Sequence, residues 1–445
     1  MFLLVWLDYV TGNNHTGYLL GYGNIGLASM LYILLFAIFG KFLHAFKIGV
    51  ERKSKQLASI VLTVLIADFF EVFVSITILN NFRYFFDFAW RYILLFLVQS
   101  IVLGLTVMLM VDLYRKIIKP LPVVIIHGDE ENDILMKINQ IPQKYTVEKS
   151  VRYDDPNLSL ENLVENCTSI MVNAVPANVE NQIIKLCFEK DKRIYIVPQL
   201  ADIILKSSES LNVMDTPLYL SRNLGMRLWQ RFIKRTMDIL LSGISLIVLS
   251  PIFLFTAIAI KLEDGGPVFF RQDRITKDNK HFMIVKFRSM IVDAEKDGRP
   301  HPAGEKDNRI TRVGRVIRAC RIDELPQLFN ILSGNMSIVG PRPERYEHVD
   351  KYTQEIPEFK YRTKVKGGLT GYAQVYGKYN TTPLDKLKLD LMYISNYSIV
   401  LDFQIILETV KILFQKESTE GFDTERANEI HDEVSKAQFF TRREK

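Results

Sequence analysis

Hydrophobic positions along this chain are gathered, not spread. Three long apolar runs, at about 25–46, 57–80 and 90–114, each match the ~20 residues that a helix needs to cross a bilayer core. A shorter apolar piece, MFLLVWLDYV at 1–10, falls short of a span at ~1.5 Å per residue. It reads as an interfacial segment or a truncated further helix; without a basic leader region or a small-residue cleavage site it does not read as a signal peptide. Beyond Pro120 the period shortens. The runs VVIIHG at 123, TSIMVNA at 168 and RIYIVPQ at 193 alternate with stretches of helical period at about 131–140 and 177–190, which predicts a small parallel α/β domain over 120–204. A polar linker is expected at 205–230.

A fourth apolar segment, 237–260, is interrupted by Ser250-Pro251. Proline removes a backbone hydrogen bond and clashes with the preceding turn, so the helix kinks or breaks there. The segment is flanked on one side by Arg231, Lys234 and Arg235 and on the other by Lys261, Arg271 and Arg274. Basic flanks on both sides disfavour export of either one, so the pattern predicts a re-entrant hairpin that enters and leaves by one face; a proline-kinked crossing is the alternative. After it come loop and strand-like stretches, a polar loop or lid at 295–308, and two segments of helical period at 384–397 and 401–416 that complete a core or lie in the headgroup layer. Residues 417–445 form a highly charged, exposed tail.

Composition supports a membrane protein with soluble parts, since 48% hydrophobic and 11% aromatic residues exceed the soluble average. Charge sets the direction. Lys41, Lys47, Arg52, Lys53 and Lys55 follow the first run and Arg115, Lys116 and Lys119 the third, whereas only Arg83 and Arg91 lie between the second and third. The positive-inside rule places everything after 115 in the cytosol. A net charge of +6 fits loops beside anionic lipid and gives no reason to invoke nucleic acid. Cys167, Cys187 and Cys320 are odd in number and widely spaced, which indicates neither a disulfide framework nor a zinc site. The first turn of the α/β domain, H-G-D-E-E-N-D from His127, has one glycine and an acidic cluster where a dinucleotide phosphate would sit, so a structural or regulatory role is expected.

The chemistry concentrates in residues 318–345, R-A-C-R-I-D-E-L-P-Q-L-F-N-I-L-S-G-N-M-S-I-V-G-P-R-P-E-R. Asp323 and Glu324 open an apolar-periodic stretch that stops at Gly334, which places them at the first turn of a helix. Arg309, Arg312, Arg315, Arg318 and Arg321 recur at every third residue before them, and Arg342 and Arg345 follow. An aspartate in this position can simply cap its helix. The adjoining Glu324, Pro326 and the flanking arginines argue for more: an ionised Asp323 serving as nucleophile or metal ligand, in a basic site suited to phosphoryl chemistry on a lipid phosphate.

Six ordered motifs then resemble one family. K-R-T-M-D at 234–238, G-P-V-F-F-R-Q-D-R at 266–274, K-F-R-S-M at 286–290, R-I-D-E-L-P-Q at 321–327, V-G-P-R-P at 339–343 and G-L-T-G-Y-A-Q-V at 368–375 are similar to those of the bacterial sugar transferases, the monotopic polyprenyl-phosphate glycosylphosphotransferases. With its N-terminal helices the chain looks like their large form. The resemblance implies a membrane protein of α plus α/β class: a transmembrane bundle over 1–118, a Rossmann-like domain, and a catalytic domain over 231–416 on a re-entrant helix-break-helix kinked at Ser250 and Pro251. It implies that Asp323 attacks the β-phosphate of a UDP-sugar bound with Mg²⁺ (or Mn²⁺), releasing UMP, and that undecaprenyl phosphate then takes the hexose-1-phosphate in the first membrane step of exopolysaccharide, capsule or O-antigen synthesis. Asp323 and Glu324 are the expected metal-binding pair. Arg318, Arg321, Pro341 and Arg342 match phosphate-binding positions, with Lys286, Arg288 and Arg274 as further substrate-binding positions. Lys234 and Arg235 would meet headgroups, while Asp238 would tie the hairpin to the soluble domain. The resemblance further implies membrane lipids as partners, a possible homodimer, and a place in the bacterial inner membrane with the catalytic domain on the cytosolic face. Where many members have K-P-G-L-T-G this chain has Lys366-Gly367-Gly368, a departure expected to loosen that loop. A membrane-anchored regulatory or binding module without catalysis is the other reading, and Asp68 and Glu71 in the second span would suit a transporter only weakly.

Overall fold

The computed structural model describes residues 22–79, 82–128, 131–221, 226–292, 294, 307–378 and 381–413, with Phe2, Leu3 and Trp6. The polar loop expected at 295–308, save its last two residues, and the tail at 417–445 lie outside them. The chain divides into two compact units, one running to Val197 and the other beginning at Pro198.

The first unit opens with three helices, Tyr22–Phe42, Lys53–Leu79 and Phe85–Ile117. Each contains a window long and apolar enough to cross a membrane. Their packing inverts the soluble pattern: on the middle helix Ser59, Thr63, Asp68, Glu71 and Ser75 are buried while Phe69, Phe70 and Phe73 are exposed. That arrangement suits hydrocarbon outside and polar contacts inside. Phe2 and Trp6 are buried against this bundle beside Ala28, Val72 and Tyr92.

A four-stranded parallel sheet follows, in the order β2-β1-β3-β4, built from β1 (Leu121–His127), β2 (Tyr145–Arg152), β3 (Ser169–Asn173) and β4 (Arg193–Ile196). Alternate β1 residues face opposite layers. Val124 and Ile126 pack with Val164, Ile183 and Cys187, whereas Val123 and Ile125 pack with Leu135 and Ile138. At the β1 turn His127 Nδ1 lies 2.7 Å from the Gly128 carbonyl oxygen, and a side chain on Gly128 would run into the Ala174 carbonyl.

The last residues of the span expected for this domain, 198–204, belong instead to the second unit, where the helix Leu200–Leu205 places Ile203 on Phe359, Leu387 and Leu391. The expected linker is also structured: β5 (Glu209–Val213) pairs antiparallel with β6 (Thr216–Leu220) around a turn with Met214 at φ 56°. In the second unit the helices Leu228–Val248 and Ser250–Asp264 meet at a 61° bend. The first begins well before residue 237, and its exposed face from Leu228, Trp229 and Phe232 to Ile247 is apolar. Two two-stranded sheets complete the framework: antiparallel β7 (Phe269–Ile275) with β8 (His281–Phe287), and parallel β9 (Ser337–Val339) with β10 (Gly368–Thr370). The helices Pro383–Ser395 and Ile399–Leu413 complete the core through Leu387, Tyr393 and Ile405.

Candidate active site

Asp323 and Glu324 do not sit in the first turn of an α-helix. They form a separate 3-10 turn, Ile322–Glu324, between the helices Arg312–Ala319 and Gln327–Leu332. Arg321, at φ 56°, ends the first helix, and Pro326, which lacks an N–H, stands before the second. This short turn lets two adjacent carboxylates meet different surroundings.

Glu324 is taken by cations. Its Oε1 accepts from Arg342 Nη2 at 2.5 Å and from Lys286 Nζ at 3.1 Å, and its Oε2 from Arg342 Nη1 at 3.5 Å. Burial pushes the Glu324 carboxyl up, but Arg342 and Lys286 outweigh it and hold the group well below the usual carboxylate range. Burial pulls the Lys286 ammonium down, with Glu324 offsetting only part of that. Asp323 is treated differently. Its Oδ1 is buried with no hydrogen-bond partner among the described residues. Burial, then the Glu324 charge, pushes its carboxyl above the ordinary aspartate range despite Lys286, Arg318 and Arg321. The expected place in the first turn of a helix is corrected: the 3-10 turn offers Asp323 no cap, Lys286 and Arg342 pair with Glu324, and Arg318 and Arg321 reach Asp323 by charge alone.

Arg342 is carried on the V-G-P-R-P turn, whose backbone is braced on several sides. Pro341 accepts from Gly368 N at 2.9 Å, Arg362 Nη2 donates to the Arg342 carbonyl at 3.1 Å and Arg274 Nη1 to that of Pro343 at 3.2 Å. Behind it lies a cluster that sequence reasoning missed: Arg362 pairs with Asp390 at 2.5 Å, and Glu344 with Lys386. Burial raises Glu344, but Lys386 and Arg362 bring it down to about 2. Asp390 lies among the polar positions of the 384–397 segment, and Arg362 lies outside every segment that the sequence singles out. The Gly367 departure adds a contact to its loop. Gly367 N donates to Thr276 Oγ1 at 3.1 Å, a bond that proline could not make.

Arg318, in the last turn of its helix, forms no ion pair among the described residues, nor does the exposed Arg321, and both act on Asp323 through their charge. Arg288 is not part of this group: it is buried and pairs with Asp264 at the end of the bent helix pair. Lys234 and Arg235 turn inward, against expectation. Lys234 Nζ lies 2.7 Å from Asp402 Oδ2 and 3.2 Å from Tyr393 Oη, and Arg235 donates to the Ile331 and Leu332 carbonyls at 2.6 and 2.7 Å. The reason is geometric: a buried carboxylate and the carbonyls at a helix end lie within reach of these two side chains. Asp238 accepts from Ser337 Oγ at 3.0 Å and Ile338 N at 2.9 Å, so it holds the start of β9. Ser250 Oγ donates to the Ile247 carbonyl at 2.8 Å, within the bend that Pro251 enforces.

Comparison with known proteins bears on this unit. The family model of bacterial sugar transferases matches residues 229–416. The exopolysaccharide production protein PSS of Rhizobium leguminosarum bv. phaseoli is 40% identical over 186 residues, 40% of this chain and 93% of that protein. The chain belongs to the bacterial sugar transferase family. Longer relatives in it include a UDP-N-acetylgalactosamine-undecaprenyl-phosphate N-acetylgalactosaminephosphotransferase of Aeromonas hydrophila, 48% identical over 41% of this chain and 44% of its own length. A UDP-glucose:undecaprenyl-phosphate glucose-1-phosphate transferase of Klebsiella pneumoniae is 40% identical over 52% of this chain and 50% of its own. The chain thus spans about half the length of these two relatives.

Proposed function

We propose that this sugar transferase moves a hexose-1-phosphate from a UDP-sugar to undecaprenyl phosphate through a covalent intermediate on Asp323. The observation that carries this reading is the contrast within the acid pair: Glu324 is saturated by Lys286 and Arg342, while Asp323 keeps a buried, unpartnered oxygen beside Arg318 and Arg321. The Asp323 carboxylate attacks the β-phosphorus, the bond from that phosphorus to the bridging oxygen breaks, and UMP leaves with the electron pair. A phosphate oxygen of the lipid then attacks the same phosphorus and the Asp323 carboxylate departs. Arg318 and Arg321 would neutralise the phosphates as negative charge shifts to the leaving group. Glu324 serves to fix Lys286 and Arg342.

The donor set fits a magnesium ion that arrives with the diphosphate. Asp323 offers one free oxygen, magnesium usually takes one or two carboxylates plus substrate phosphates, and the described residues contain no group of three or more metal-ligating side chains. Bound there, it would neutralise diphosphate charge; Glu324, already engaged, is the poorer ligand.

A re-entrant course for the bent helices is supported by where both ends are held. Lys234, Arg235 and Asp238 near the start, and Glu263 and Asp264 at the finish, all bond to the same soluble unit. Together with the basic loops, this supports a site at the cytosolic face of the inner membrane, where a soluble nucleotide sugar would meet a lipid phosphate in the opening step of exopolysaccharide synthesis. The test is incubation of the full chain in membranes with a panel of UDP-sugars, measuring UMP release and mapping a phosphosugar adduct. Asp323→Ala should lose both; lipid-linked product formed at the wild-type rate by that variant would overturn the assignment.

A further inference from the structure

The membrane bundle carries chemistry that the transfer reaction leaves unused. Asp68 and Glu71 on the middle helix are three residues apart and so share a face; Asp68 is 3% exposed and Glu71 is fully buried. The groups facing them are Tyr32 from the first helix, Tyr92 and Gln99 from the third, and Ser75 from their own. The hydrogen inventory here does not close. Tyr32 Oη lies 2.9 Å from Asp68 Oδ1 and 2.9 Å from Gln99 Oε1, two acceptors for one hydroxyl hydrogen. Asp68 Oδ2 and both carboxylate oxygens of Glu71 are buried with no hydrogen-bond partner, and neither acid forms an ion pair among the described residues. Ionised acids without donors cost several kcal/mol each in such surroundings, so something positive must complete the set.

We propose that Glu71, with Asp68 beside it, is a cation site in the bundle that holds one small monovalent cation, a proton or a sodium ion, in exchange with the aqueous phase. Size follows from burial: Glu71 is fully buried in the packed bundle, so a lipid headgroup does not stand beside it, and an exchanging ion or a carbodiimide reaches it as the helices part. Divalent ions are disfavoured by ligand count, because no third acid, histidine or cysteine joins the pair among the described residues. A proton would sit on Glu71 or be shared through Asp68, freeing Tyr32 to donate to Gln99; a sodium ion would take the orphan oxygens directly.

Dicyclohexylcarbodiimide, which enters from hydrocarbon and reacts with protonated carboxyls, tests this on the full chain in lipid vesicles, with adducts mapped by mass spectrometry. In sodium-free buffer the expected adduct is on Glu71, and its rate should fall about tenfold for each pH unit above the titration point of the pair. Suppression by sodium chloride but not choline chloride at fixed pH assigns the site to sodium; equal labelling in both assigns it to the proton. Glu71→Gln should abolish the adduct. Absence of any Glu71 adduct across the pH range in sodium-free buffer, or labelling that neither pH nor sodium alters, overturns the proposal. Failure here would leave the Asp323 reading untouched, since UMP release is measured separately.

Discussion

At the scale of single residues, the two neighbouring carboxyls make opposite predictions. Asp323 is pushed above its ordinary range, so its ionised form destabilises the fold at neutral pH. The sign follows: a raised carboxyl favours the folded state below its unfolded value of ~3.9, and that contribution is lost as pH rises through the folded value. Asp323→Asn should therefore raise the melting temperature at neutral pH while lowering turnover by about 10³-fold or more. The acid limb of the activity profile should also lie above the ordinary aspartate range, because the nucleophile must be ionised. Glu324 behaves in reverse. Its depressed carboxyl stabilises the fold above ~4.3, and this is lost as pH falls through the lower folded value. Glu324→Gln leaves Lys286 and Arg342 without their counter-charge and should cost about 3 kcal/mol, read as a lower urea midpoint. The acid pair and its arginines were legible in the sequence, but this asymmetry was not: adjacency in the chain says nothing of which carboxylate the distant Lys286 and Arg342 will reach.

Between elements, the hairpin is joined to the soluble core by buried polar contacts as well as by apolar packing such as Phe253 on Phe287 and Phe329. Lys234 is held by Asp402 and Tyr393; Tyr393 Oη donates to Asp402 Oδ1 at 2.7 Å and lies 3.3 Å from the carbonyl oxygen of Val339, the first residue of the turn that carries Arg342. Lys234→Met alone should cost about 3–5 kcal/mol by stranding Asp402, and the double change with Asp402→Leu should recover most of it. A denaturant series on the four proteins of this cycle measures the coupling. Single cysteines placed on either side of Ser250 should both react only with a reagent offered from the cytosolic face; reactivity from opposite faces would mean a crossing. The break itself was readable from Ser250-Pro251, because proline acts locally. The inward turn of Lys234 and Arg235 was not, because a basic pair beside an apolar helix looks the same whether its partners are lipid or protein.

For the whole molecule, the family match at 229–416 lies within the second unit, and an alignment of 186 residues covers 93% of the Rhizobium leguminosarum relative. A chain beginning at Pro198 should thus retain UMP release in membranes within about tenfold of the full chain, a loss of no more than ~1.4 kcal/mol in the barrier. The three apolar helices, the alternating strands and the motif order followed from the sequence by itself, since hydrophobic period and proline act through neighbours in the chain. Tertiary structure alone decided that the helix Leu200–Leu205 joins the second unit, that Gly367 is tied to Thr276, and that Arg362 and Asp390 lie buried behind Arg342. It also decided which carboxylate keeps a free oxygen. Each of these depends on groups far apart in sequence, whose mutual distance, and hence whose electrostatic and hydrogen-bonding partners, exists only once the chain has folded.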